Sequence, residues 1–371
     1  MKVTRLGTAV VLAAAGAVAL AACGSSKSTN TPSTTSNSSS SGGGSSNCPS
    51  GSIAGAGSTF QKNIELQWIS DFGSSCSSLK VDYQGTGSGA GIQSFINNTI
   101  DFAGSDSLMK TDEQASANTR CGSGNVAIHI PITAGAAVFT YNIPGVTDLQ
   151  VSAPLIAKIF SGKVTKWNDP AVKADNPSAT LPDLAIQPVH RSDSSGTTGI
   201  VASWLTASDP TDWTLGTSKD LTFPGGQSAS GSDGVTNLVK STSGAITYTE
   251  LSYAITNSLT PAKVKNASGA YTDPSGAAVS SALATAKIDS SKGNGDTEIT
   301  PDYTTKAADA YPVSAISYVI VCDKGNKNAA GLKAYLTYAS GDGQKSASDL
   351  GYAPLPTPIA TPAKAAVAAI S

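Results

Sequence analysis

Histidine is nearly missing from this chain: His129 and His190 are the only two in 371 residues. A histidine-rich metal site cannot be assembled from them. No Gly-Lys-Ser/Thr phosphate loop occurs, and neither Gly-x-Ser-x-Gly nor Lys-Thr-Gly is present, so nucleotide-loop and common serine-acyl chemistries lose their signatures. Charged residues make up 13% and aromatics 6%, and the formal net charge is −2. No basic run is interleaved with aromatics, which argues against nucleic acid as a partner. An anionic ligand would need a local site, because the overall field mildly opposes it. No internal repeat is present.

The length suffices for two domains with full cores. The first residues stand apart from the fold. Lys2 and Arg5 precede a short apolar run from Thr8 to Leu20, too brief for a comfortable membrane span, which reads as a signal peptide over 1–22. Leu20-Ala21-Ala22-Cys23 resembles the lipobox of bacterial lipoproteins, which implies cleavage before Cys23 and acylation of its sulfur. Residues 24–47 are mostly Ser, Thr, Gly and Asn, and residues 23–47 read as a lipidated cysteine with a flexible tether. Four further cysteines, Cys48, Cys76, Cys121 and Cys322, favour two disulfides in an exported protein. Cys48 precedes the first strand and Cys76 the second, which suggests that they pair and leave Cys121 for Cys322.

From Cys48 onward the pattern is α/β. Ser52 to Ala54 reads as a strand, and Phe60, Ile64, Trp68 and Phe72 lie on one helical face. Leu79 to Gln84 alternates as a strand, Ile92, Phe95 and Ile96 mark a helix, and Ile100 to Ala103 form a third strand ending in Gly104-Ser105-Asp106. Val126 to Ile143 reads as two β-runs broken near Thr133-Ala134-Gly135. Helices are predicted around Leu155–Phe160, Gly234–Lys240, Glu250–Asn257 and Ala330–Tyr338, with strands at Ala245–Tyr248 and Ala315–Val321. Residues 260–310 are the least informative, and the tail from Ala353 is Pro/Ala-rich.

Three segments repeat one design, a small-residue loop feeding a helix: Gly55 to Phe60, Gly85 to Gly91 and Ser194 to Thr198. Free backbone N–H groups, hydroxyls and the helix dipole make such a loop an anion nest. Any one of them is more often a close-packing device. Together with Arg191, a planar fork for a tetrahedral oxyanion, and Asp106 at a strand's carboxyl end, they point to one small oxyanion.

These segments also resemble the phosphate-binding proteins that feed ABC phosphate importers. The similarity runs through Gly55-Ala56-Gly57-Ser58-Thr59-Phe60, Tyr83 to Ser88, Phe102 to Asp106, Tyr141 to Gly145, Gly162 to Pro170 and Arg191 to Thr197. It implies a type II periplasmic-binding-protein-like fold: two α/β lobes, each a mixed sheet flanked by helices, closing by a hinge on a ligand in the cleft. Lobe 1 would span 48–142 and 317–371, and lobe 2 would span 143–316. The resemblance implies phosphate ligands at Thr59, Phe60, Ser88, Asp106, Arg191, Ser195, Gly196 and Thr197, with Asp193 orienting Arg191. It implies no cofactor or metal and no catalysis. The partners would be inorganic phosphate, the permease of an ABC importer and, through Cys23, the outer face of the cell membrane. One departure is Gln61, where the family commonly has proline.

Asp106 gives the resemblance a physical reason. A carboxylate only accepts hydrogen bonds, so it suits an anion that keeps a proton, as phosphate does and sulfate does not. The plainer reading of Asp106 is a helix N-cap ahead of Leu108. Two rival functions follow: a receptor for sulfate or molybdate, and a secreted phosphatase-like or serine enzyme. Ser77-x-x-Lys80 and Ser107-x-x-Lys110 are the enzyme's only motifs, and His190 is its only nearby base.

Overall fold

A computed structural model describes residues 48–371. The signal-peptide, Cys23 and tether readings fall outside the described residues. Along the chain come β1 (Gly51–Gly57), α1 (Thr59–Ser75), β2 (Leu79–Gly85), α2 (Ser88–Ile96), β3 (Phe102–Ser105) and α3 (Thr111–Cys121). This is the predicted strand–loop–helix alternation. α1 forms because Phe60, Ile64, Trp68 and Phe72 fall on one face, and all four are buried. Both expected disulfides, Cys48–Cys76 and Cys121–Cys322, are present.

β4 (Ala127–Asn142) is one continuous strand, not two runs broken near Gly135. Gly135 pairs with Ala315 and with Tyr352, so the ladder passes straight through it. Its missing side chain serves close approach instead: a Cβ there would lie 2.7 Å from the Phe60 ring. Small residues that read as a break are where α1 presses on the sheet.

β5 (Gln150–Val151), α4 (Ala153–Phe160), α5 (Pro170–Asp175), β6 (Gln187–Arg191), α6 (Gly196–Ser208), β7 (Gln227–Ala229), α7 (Gly231–Ser241), β8 (Ala245–Glu250) and α8 (Leu251–Thr256) follow. The uninformative stretch holds short pieces: β9 (Lys263–Lys265), β10 (Tyr271–Thr272), α9 (Gly276–Leu283), β11 (Lys287–Asp289) and β12 (Glu298–Thr300). The chain returns through β13 (Ser314–Cys322), α10 (Ala329–Ser340), β14 (Tyr352–Ala353) and α11 (Thr357–Ala369). The Pro/Ala-rich tail is therefore helical, and it carries Pro362 inside α11. Ile359, Ala363, Ala366 and Val367 bury one face, which the small side chains of alanine disguise in the sequence. Among the described residues, no helix is long and apolar enough to cross a membrane.

The main sheet runs β2-β1-β3-β13-β4-β8-β6-β7, with β14 also on β4. β4 changes partner midway, pairing with β13 up to Ala136 and with β8 from Ala137. Each half mixes parallel and antiparallel pairs: β1 with β2 and β6 with β8 are parallel, while β13 and β8 run antiparallel to β4. The carboxyl ends of β1, β2 and β6 carry the three small-residue loops, and that of β3 carries Asp106.

Candidate functional site

Gly57 ends β1 with φ 136°, and a Cβ on it would meet the Gly104 carbonyl at 2.1 Å. Only glycine fits there. The turn hands the chain to Ser58, whose hydroxyl caps α1 by accepting from Gln61 N at 3.3 Å and donates to Asp106 Oδ1 at 2.5 Å. Thr59 and Phe60 occupy the first turn of α1, where backbone N–H groups have no intrahelical acceptor. The Thr59 hydroxyl lies 3.0 Å from Arg191 Nη1 and 2.7 Å from the Ser232 hydroxyl.

The second loop lies against the first, with Gly87 N donating to Gly57 O at 2.7 Å. Ser88 opens α2; its hydroxyl donates to Asp106 Oδ2 at 3.3 Å and accepts from Asp106 N at 3.2 Å. The N-cap reading of Asp106 fails, because α3 starts four residues beyond that expectation, at Thr111 with Lys110 as its cap. The Asp106 carboxylate instead accepts hydroxyls from Ser58, Ser88 and Ser317. Ser317 reaches it by register: β13 pairs antiparallel with β3, Tyr318 against Ser105, so the next pair is Ser317 against Asp106. Burial pushes the Asp106 carboxyl up to about 6, with the Ser317 and Ser58 bonds and Arg191 opposing and nearby Glu250 adding to the rise.

The third loop follows β6. Arg191 Nε donates to Asp193 Oδ1 at 2.7 Å and Nη2 to Oδ2 at 2.5 Å, a bidentate fork. Burial works against the guanidinium's charge, but the Asp193 pair outweighs it and holds Arg191 above its usual range. Asp193 is held low for the reciprocal reason: burial raises it, and Arg191 together with the Gly231 N–H more than reverses that. Ser195 caps α6 by accepting from Thr198 N at 3.2 Å. Thr197 spends its hydroxyl proton on Glu250 at 2.6 Å, which leaves its backbone N–H as its donor.

The three loops converge. Gly89 N donates to Ser194 O at 3.0 Å, and a Cβ on Gly196 would lie 2.5 Å from both Asp106 Oδ2 and the Ser88 hydroxyl. All eight predicted ligand residues, Thr59, Phe60, Ser88, Asp106, Arg191, Ser195, Gly196 and Thr197, are buried in this one cluster. Since Asp193 neutralises Arg191, attraction for an anion comes largely from dipoles: three helix starts and their hydroxyls. Ion pairs ring the cluster, Lys62–Asp233 at 2.6 Å, Lys110–Asp220 at 2.7 Å and the buried Lys219–Glu113 at 2.9 Å.

Sequence reasoning missed Ser232, Ser317 and Glu250. Ser317 had a usable signal, a hydroxyl inside the apolar run of β13, and Glu250, like Asp106, is an acid at a strand's end. Ser232 had none. The enzyme motifs stay apart: Lys110 pairs with Asp220, and the His190 ring stacks on Phe223 at 4.5 Å.

Comparison with known proteins agrees in kind. The model of the PBP superfamily domain matches residues 13–342. Phosphate-binding protein PstS 3 of Mycobacterium tuberculosis (strain ATCC 25618 / H37Rv) is 36% identical over 378 residues, covering 100% of both chains. Phosphate-binding protein PstS of Xylella fastidiosa (strain 9a5c) is 35% identical over 311 residues, covering 82% of this chain and 81% of its own. Among solved structures, a high-affinity periplasmic phosphate-binding protein (PfluDING) bound with phosphate superposes with a TM-score of 0.68 at 21% identity. That match covers 85% of this chain and 93% of the other, and it shows the shared fold.

Proposed function

The chain belongs to the PstS phosphate-binding family of the PBP superfamily, and on that footing we propose that it captures inorganic phosphate outside the cytoplasm and delivers it to the permease of an ABC-type importer. It is a receptor and not an enzyme. The observation that carries the reading is the Asp106 carboxylate, set among hydroxyl donors and facing the helix starts and Arg191. A buried acceptor at an anion site calls for a proton on the ligand, and phosphate near neutral pH retains one. Sulfate and molybdate would bring unprotonated oxygen against carboxylate, a repulsion with no compensating bond.

Thr59, Phe60, Ser88, Ser195, Gly196 and Thr197 supply N–H and hydroxyl donors, Arg191 the guanidinium, and Asp193 its orientation. The two lobes hinge where β4 passes from β13 to β8. The ion pairs ringing the cluster, Lys219–Glu113 foremost, would form on closure. Cys23 is acylated after removal of 1–22, and residues 23–47 tether the receptor to the membrane. Two disulfides fit an oxidising compartment.

Titration calorimetry with phosphate and sulfate tests this directly. Phosphate should bind and sulfate should not. Preference for sulfate, or steady release of phosphate from a phosphomonoester, would overturn the reading.

A further inference from the structure

Behind Asp106 lie two buried acceptors without partners, Gln61 Oε1 and Glu65 Oε1. They stand one turn apart on α1, positions whose side chains are neighbours. The orientation of the Gln61 amide is fixed. Nε2 donates to the Tyr318 carbonyl at 2.6 Å, which can only accept, and to the Ser317 hydroxyl at 2.7 Å. Oε1 therefore faces away and needs a donor. Tyr83, near the same spot, has already given its proton to Ser58 O at 2.8 Å. Glu65 accepts through Oε2 from the Tyr335 hydroxyl. The groups that bear on it are Tyr335 from α10 and Tyr83 from β2, neither of them cationic.

We propose that Glu65 carries a proton and donates it from Oε1 to Gln61 Oε1, which makes Glu65 a positioning residue for the Asp106 acceptor and so for selection of a proton-bearing oxyanion. Burial supports the neutral form, since it pushes the Glu65 carboxyl up to about 7. One proton resolves both orphans and gives every bond in the chain the same direction: Tyr335 to Glu65, Glu65 to Gln61, Gln61 to Ser317, Ser317 to Asp106 Oδ1. Were Glu65 ionised, two acceptors would be left without a proton between them, and turning the amide would only set Oε1 against the Tyr318 carbonyl. Either arrangement loosens the Gln61 bond that orients the Ser317 proton towards Asp106 Oδ1. Gln61 stands where the resembled family commonly has proline, so this link goes with a residue in which the chain departs from that pattern.

The specificity role rests on the phosphate reading, so the test has two arms on the full chain. Infrared difference spectra of wild type against Glu65→Gln near pH 6 should show a protonated-carboxyl C=O band in wild type only. Loss of ionised-carboxylate bands instead would overturn the proposal. In calorimetry with inorganic phosphate, Glu65→Gln, whose amide still donates to Gln61, should stay within about threefold of wild type, while Glu65→Leu should bind about tenfold more weakly. It should also lose discrimination against sulfate, with an unchanged circular dichroism spectrum. A leucine variant equal to wild type, or a glutamine variant as weak as leucine, would sink the positioning role. Wild type failing to bind phosphate would remove the function reading and that role with it, while the infrared band still shows whether Glu65 holds its proton.

Discussion

Replacing Asp106 by asparagine should change ligand choice and stability in opposite directions. Asparagine keeps an oxygen where Oδ1 accepts from Ser58 and Ser317, and puts an amide where Oδ2 meets Ser88, whose hydroxyl can turn to accept. The fold has no reason to fail. Wild type, however, holds a buried carboxylate raised from 3.8 to about 6. That rise amounts to about 3 kcal/mol, at about 1.4 kcal/mol for each unit. Because the folded value is the higher one, the stabilisation is whole below about pH 3.8 and gone once pH has risen through about 6. At pH 8 the ligand-free variant should therefore be the more stable protein. Spread over a domain of this size, the gain is about 4 °C in melting temperature, and it should vanish towards pH 4. Phosphate affinity should fall about ten- to a hundredfold with loss of a charge-assisted bond, and sulfate should gain as repulsion is relieved. Scanning calorimetry across pH and titration with both anions read the two effects. A variant no more stable at pH 8, or one with an unchanged phosphate-to-sulfate ratio, would refute the reasoning.

Three further outcomes follow from the same geometry. In wild type, preference for phosphate over sulfate should decline as pH falls through about 6, because a protonated Asp106 can donate; a ratio flat from pH 8 to 5 would contradict this. Gly196→Ala should abolish phosphate binding in calorimetry while leaving the circular dichroism spectrum intact, since its methyl would stand 2.5 Å from Asp106 Oδ2 and the Ser88 hydroxyl; binding within about threefold of wild type would show that the loops do not meet so closely. In the phosphate-saturated protein, where the pair is closed, Lys219→Met leaves the buried Glu113 charge without its ion-pair partner and should cost about 3 kcal/mol in urea unfolding, most of it recovered by adding Glu113→Gln. A single variant as stable as wild type would remove the pair from the account.

Local order was legible wherever one rule acted. Period-four apolar residues marked α1, alternation marked β2, and glycine–serine loops before helices marked the three anion nests. The reading failed where a small residue served packing: Gly135 looked like a break and is a strand position under Phe60. Alanine hid the buried face of α11 in the same way. Asp106 and Arg191 stood out because an acid or a base at the end of an apolar strand has few structural uses.

By itself the sequence determined which residues could hold an oxyanion, because donor type, glycine and loop-before-helix spacing are local properties. Tertiary structure decided how those residues are held. Ser317 meets Asp106 through the register of β13 on β3, Glu250 takes the Thr197 proton across the sheet, and Gln61 and Glu65 stack behind the site from α1. Register and burial depend on partners distant in the chain, and no local pattern encodes whom a hydroxyl will face.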